Sequence, residues 1–118
     1  MKYKLLQIFG VLFCGSAVVL GAFGAHLLSE MLSADALQSF EVGVRYQFFH
    51  KMTLLFLSLS PDLKKVMSRT ALLFVIGTLL FSSSIYLLSL STMYGDTGLP
   101  ALLGPVTPIG GLLLILGW

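Results

Sequence analysis

Five residues in this chain pose a chemical question: His26, Arg45, Gln47, His50 and Thr107. Each is a polar group at the edge of, or within, a long apolar run. An imidazole in such a place can donate to a carbonyl, accept from a donor, relay a proton or bind a metal. Thr107 stands before Pro108, which reads as a helix N-cap followed by proline at the first helical position. A helix beginning there, at membrane depth, offers free amide donors and a partial positive charge. Together the five residues define a candidate pocket for a carbonyl, a quinone or an anionic headgroup. The plainer reading is that they are polar helix–helix contacts, with the histidines and Gln47 donating to carbonyls on neighbouring helices. Ligation of haem by two histidines on facing helices is a third reading. Zinc is disfavoured, because no third protein ligand accompanies the histidines, and neither a metal nor another cofactor is expected.

The remaining reactive side chains point to less. Ser82-Ser83-Ser84 has no acid or histidine following it in the same segment, and a serine nucleophile needs a base within hydrogen-bond reach. Serines in such segments bond back to their own helix. Glu41 and Arg45 stand four apart in the order that favours a helical ion pair at an interface. Asp96 reads as a turn residue. Cys14 is the only cysteine of the chain, so no internal disulfide is possible, and it reads as a small packing residue.

The elements that must position these residues follow from composition. Of 118 residues, 57% are hydrophobic and 10% charged, and the mean hydropathy is +0.97. Soluble domains carry about 25% charged residues, so most of this surface faces lipid. The net charge of +2 comes from scattered Lys and Arg without a basic stripe, which excludes nucleic acid as a partner. The chain is short enough for one domain. Met1-Lys2-Tyr3-Lys4 before an apolar run resembles a signal peptide. The run is too long for a signal core, and Phe13 before Cys14 does not fit a lipoprotein cleavage site.

The predicted architecture is all-α: a four-transmembrane-helix bundle with an amphipathic lead-in to helix 2 and a proline-broken helix 4, its spans over 5–28, 42–60, 70–91 and 99–118. Leu5–Leu28 is 24 residues without a charge, roughly 36 Å of helix against a hydrocarbon core of about 30 Å. Its small residues Gly10, Cys14, Ala17, Gly21 and Gly24 fall on one face, where a neighbouring backbone can approach. Asp35 with Gln38 reads as the start of helix 2, and Pro61 bounds its end. The uncharged part, Met52–Ser60, is too short to cross alone. Lys51 must therefore snorkel to the interface or face the bundle. A charged turn, Pro61–Arg69, leads to Thr70–Ser91, where Gly77, Ser84 and Ser91 recur every seven residues. Gly104-Pro105-Val106-Thr107-Pro108 interrupts the last span. Only 11 residues remain from Pro108 to Trp118, so either Leu99–Gly104 supplies the other half of the span or the chain continues further.

Lys2, Lys4, Lys64, Lys65 and Arg69 flank one end of the spans, and Glu30, Asp35, Glu41 and Asp96 the other. Positive charge stays in the cytoplasm, so both termini are expected inside, in a bacterial inner membrane. This places His26, Arg45, Gln47, His50 and Thr107 in the outer half, with the two histidines at one level.

Four motifs in order carry a family resemblance: Gly21-Ala22-Phe23-Gly24-Ala25-His26; Tyr46-Gln47-Phe48-Phe49-His50; Gly77 to Leu88 around Leu80-Phe81-Ser82-Ser83-Ser84-Ile85-Tyr86; and Gly104-Pro105-Val106-Thr107-Pro108-Ile109-Gly110-Gly111. They resemble the family called domain of unknown function 423, whose eukaryotic relatives are named transmembrane protein 256. The resemblance spans nearly the whole chain and implies a four-span membrane protein without an established biochemical role; it supplies architecture and no catalytic residues. Lys51 departs from it, since the family usually has a small residue after that histidine. The family also tends to run on a little past Gly117-Trp118, which implies a shortened last helix here.

Three classes of function follow. The first is a non-enzymatic structural or accessory membrane subunit, in contact with the bilayer and assembling with itself or with a larger complex. The second is a binding protein for a lipid, quinone or haem near His26 and His50. The third is a small proton-coupled transporter, which would need a membrane-embedded acid that the spans do not supply, Glu41 lying only at a border. Nothing in the sequence assembles the nucleophile, base and oxyanion donor of an enzyme.

Overall fold

The structure, a computed structural model, describes residues 2–60, 64–94 and 98–118. Among the described residues every regular element is helical. Helix α1 (Lys2–Phe23) continues through a π-helical stretch, Gly24–Leu28, into one further turn, Ser29–Met31. Helix α2 is Ala34–Ser58 and α3 is Lys64–Ser91. The last segment is split into α4 (Leu99–Leu103) and α5 (Val106–Gly117).

Each helix packs on the next in an antiparallel run, α1 on α2, α2 on α3, and α3 on α5. Small residues make the first seam. A Cβ on Gly10 would lie 2.7 Å from the Leu55 side chain, one on Gly24 3.4 Å from Phe40, and Ala17 between them is 2% exposed. The stripe read from the sequence is thus the face of α1 that meets α2. The sevenfold repeat on α3 serves the last seam in the same way. Gly77 abuts Gly110 and Leu114, and Ser84 meets Thr107. Buried apolar side chains gather in two clusters, one around Leu28, Leu32, Ala36 and Phe40 and one around Leu54, Ala71, Phe74 and Leu114.

Among the described residues, three stretches are long and apolar enough to cross a membrane: Lys4–Met31, Arg69–Ser91 and Pro100–Gly117. Helix α2 is a further helix of 25 residues, long enough but more polar: Gln47, His50 and Lys51 are buried in the interior, while Asp35, Gln38, Ser39 and Arg45 are exposed along its first half. The lead-in and the second span form one rod.

Several boundaries differ from the sequence reading. The α2 cap is Ser33, whose hydroxyl accepts from the Ala36 amide at 3.2 Å. Asp35 lies instead in the first turn, where its charge suits the helix dipole. Helix α3 begins at Lys64, so much of the expected charged turn is helical, as a run without Gly or Pro allows. Pro61, Asp62 and Leu63 lie outside the described residues, as does Asp96. Thr107 is not a cap. The proline break falls at Gly104-Pro105, both with right-handed helical dihedrals, and Thr107 lies inside the first turn of α5. Proline at 105 already has a helical φ, and the missing Cβ at Gly104, which would lie 2.6 Å from the Pro100 carbonyl, lets the chain turn there.

Candidate functional site

The buried face of α2 runs Phe40, Gly43, Gln47, His50, Lys51 and Leu54, spaced so that one stripe of the helix carries three polar side chains into the interior. Neighbouring helices meet each of them differently.

Gln47 is 4% exposed and fully bonded. Its Nε2 donates to the Phe13 carbonyl and to Ser16 Oγ, both at 2.8 Å, while Oε1 accepts from the Tyr86 hydroxyl at 2.7 Å. Only this orientation of the amide satisfies both sides, because a carbonyl cannot donate. One side chain therefore ties α1, α2 and α3 together. One turn earlier on α2, Ser82 of α3 donates to the Gly43 carbonyl at 2.8 Å.

His50 is 6% exposed. Its Nδ1 donates to the Tyr46 carbonyl at 2.8 Å, which leaves Nε2 as the acceptor for the Trp118 indole N–H at 3.2 Å. The ring also meets Phe74 and Trp118 edge-on. Both nitrogens of this neutral tautomer are occupied, so neither is left for a metal or haem iron without breaking the bond to Tyr46 within α2 or the one to Trp118 at the end of α5.

Lys51 is the group for which sequence reasoning left two destinations. It faces the bundle, at 0% exposure. Its Nζ has one long bond, 3.5 Å to the Phe74 carbonyl, and sits 4.5 Å from the centre of the Phe13 ring. A fully buried ammonium carries a desolvation penalty of several kcal/mol, and a cation–π contact returns about 2 kcal/mol. Lys51 is thus the least well compensated polar group in the interior. The signal in the sequence was its departure from the small residue that the family usually has there. Among the described residues, two hydroxyls, on Thr78 and Ser89, are also buried without a hydrogen-bond partner, each at a cost of about 1–3 kcal/mol.

The five residues singled out from the sequence do not converge. Gln47 and His50 are interior, a turn apart on α2. Arg45 is exposed. Thr107 shares a 2.6 Å hydrogen bond with Ser84 across the α3–α5 seam. His26 is exposed on the π-helical stretch and borders a shallow apolar groove formed by α1 alone. Since Gln47 is level with Phe13 and Ser16, His26 lies some 10 residues, roughly 15 Å, further along α1. The histidines therefore occupy different levels. The sequence placed them together because it counted from helix ends, whereas α1 extends beyond the predicted span.

The geometry defines a helical membrane protein whose interior polar groups are chiefly spent on joining its own helices. The family described as protein of unknown function DUF423 matches residues 20–111, and the chain belongs to it. A UPF0382 membrane protein of Haemophilus influenzae is 37% identical over 99% of this chain and 87% of its own length. One from Staphylococcus saprophyticus is 35% identical over 98% of this chain and 91% of its own length. The UPF0382 inner membrane protein YgdD of Escherichia coli K12 is 34% identical over the whole of this chain and 86% of its own length. No solved structure matches.

Proposed function

We propose that this protein is a non-enzymatic accessory subunit of a larger inner-membrane assembly, with both termini in the cytoplasm. The observation that carries this is the open flank of α1. That helix is held mainly by a single stripe against α2, and among the described residues α5 is not one of its main packing partners. Its other faces present Val11, Leu12, Val18, Val19 and Phe23, each at least half exposed, so the bundle is left unclosed on the side where a partner helix would lie. The interior supports the non-enzymatic part of the reading. His50 has both nitrogens engaged and so has none free to take a proton from a nucleophile.

Photocrosslinking in native membranes tests this. A photoactivatable residue at Val11 or Val18 is expected to yield an adduct of one discrete protein mass, while one at Ile115 or Leu116 of α5 yields lipid adducts only. Lipid adducts alone from all four positions, with a lone monomer in mild detergent, would remove the proposal.

A further inference from the structure

The end of the bundle at which α2 starts and α3 finishes contains a groove of about 430 Å3. Its lining is mainly apolar, with Ile85, Leu88 and Pro108 among the walls, and Ser39 of α2, Ser89 and Thr92 of α3, and Gly104 and Thr107 around the α4–α5 junction contribute the polar atoms. No charged side chain lines it among the described residues.

Some of these groups are already committed. Thr107 is bonded to Ser84, and the Thr92 hydroxyl donates to the Ser89 carbonyl at 2.7 Å. Others are not. Ser89 is 3% exposed and its hydroxyl has no partner among the described residues. The carbonyl of Gly104 stands four residues before Pro108, which has no N–H with which to close that helical bond. Ser39 is exposed at the rim. The groove thus combines an unspent deep hydroxyl, a carbonyl acceptor and a second hydroxyl at its mouth. Its depth suits a headgroup: Ser89 is two residues from the end of α3, and Ser39 five residues, roughly 8 Å, inside α2.

We propose that this groove binds the headgroup of an uncharged glycerolipid bearing a free hydroxyl, of which a diacylglycerol is the simplest. The free hydroxyl donates to the Gly104 carbonyl, an ester carbonyl accepts from Ser89, and the acyl chains leave along the Leu88 side into the bilayer. A phosphate headgroup would be desolvated here without a cation to pair it. A quinone only accepts hydrogen bonds, so it would leave the Gly104 carbonyl unmet.

The test uses the full chain in phosphatidylcholine nanodiscs and a diacylglycerol with a photoactivatable group near the glycerol end of an acyl chain. Labelling is expected to saturate, to map to the α3 end around Ile85–Thr92 or to Gly104–Ile109, and to be competed at least about tenfold better by dioleoylglycerol than by dioleoylphosphatidylglycerol or ubiquinone. Ser89→Ala is expected to weaken half-saturation about tenfold, the factor one lost hydrogen bond to a buried group carries. Ser39→Phe, at an exposed position on which the interior does not depend, is expected to block labelling. Equal competition by the anionic lipid or the quinone would overturn the proposal. So would label spread along the lipid face of α1, or half-saturation unchanged in Ser39→Phe.

Discussion

At the scale of single residues, Gln47 and Lys51 show what burial does to two polar side chains on one helix face. Gln47 meets a carbonyl, a hydroxyl and a phenol in the right directions and holds three helices together. Replacing it with leucine strands the Tyr86 hydroxyl and unties α1 from α2 at Phe13 and Ser16, so Gln47→Leu is expected to lower unfolding free energy by about 2 kcal/mol, read as a shift in the SDS fraction at half-unfolding. An unchanged midpoint would mean that the bridge contributes nothing. Lys51 is the opposite case, a cation with one long hydrogen bond and an aromatic face. Lys51→Met keeps the side-chain length and removes the charge, so the bundle is expected to gain about 1–3 kcal/mol in the same assay, as replacing buried charges by apolar groups often does. A loss of stability would show that the ammonium is better held than its contacts indicate.

At the scale of helices, the seams are set by small residues, and the tightest is α3 against α5. A Cβ on Gly110 would lie 2.5 Å from the Phe81 amide nitrogen and 3.0 Å from the Gly77 carbonyl. Both neighbours are backbone and cannot swing aside, so Gly110→Val forces α5 away from α3. With Cys14 changed to serine, the pair Ser84→Cys and Thr107→Cys, whose hydroxyls are 2.6 Å apart, is expected to oxidise readily to a disulfide. Adding Gly110→Val is expected to abolish the cross-link. Efficient cross-linking in the triple variant would show that this seam does not depend on the glycine. The π-helical stretch around His26 belongs to this scale too. The Ser29 hydroxyl donates to the carbonyls of both Ala25 and His26 there, and no pattern in the residues announces it.

At the scale of the whole molecule, the antiparallel run places Lys4 and Arg69 at one end and Glu30 and Asp35 at the other. With the basic end in the cytoplasm, an impermeant thiol reagent on intact cells is expected to label Asp35→Cys and to miss Lys4→Cys in the Cys14→Ser background. The reverse pattern would invert the proposed orientation. The scarcity of packing between α1 and α5 among the described residues is likewise a property of the molecule and of no single helix.

The sequence alone determined that this is a helical membrane protein, where its long helices lie and which faces join them. Apolar length sets the number of spans, and the spacing of small residues sets the seams, because backbone polar groups in lipid must be satisfied within each helix and close approach needs side chains out of the way. It also marked Gln47, His50 and Thr107 as polar groups with a purpose. Only the tertiary structure decided their partners. It engaged both nitrogens of His50, turned His26 outward, placed Thr107 on Ser84 and enclosed Lys51. The reason is that a partner on another helix depends on the rotation and register of two rods together. A shift of one residue turns a side chain by about 100°, which no local pattern of residues specifies.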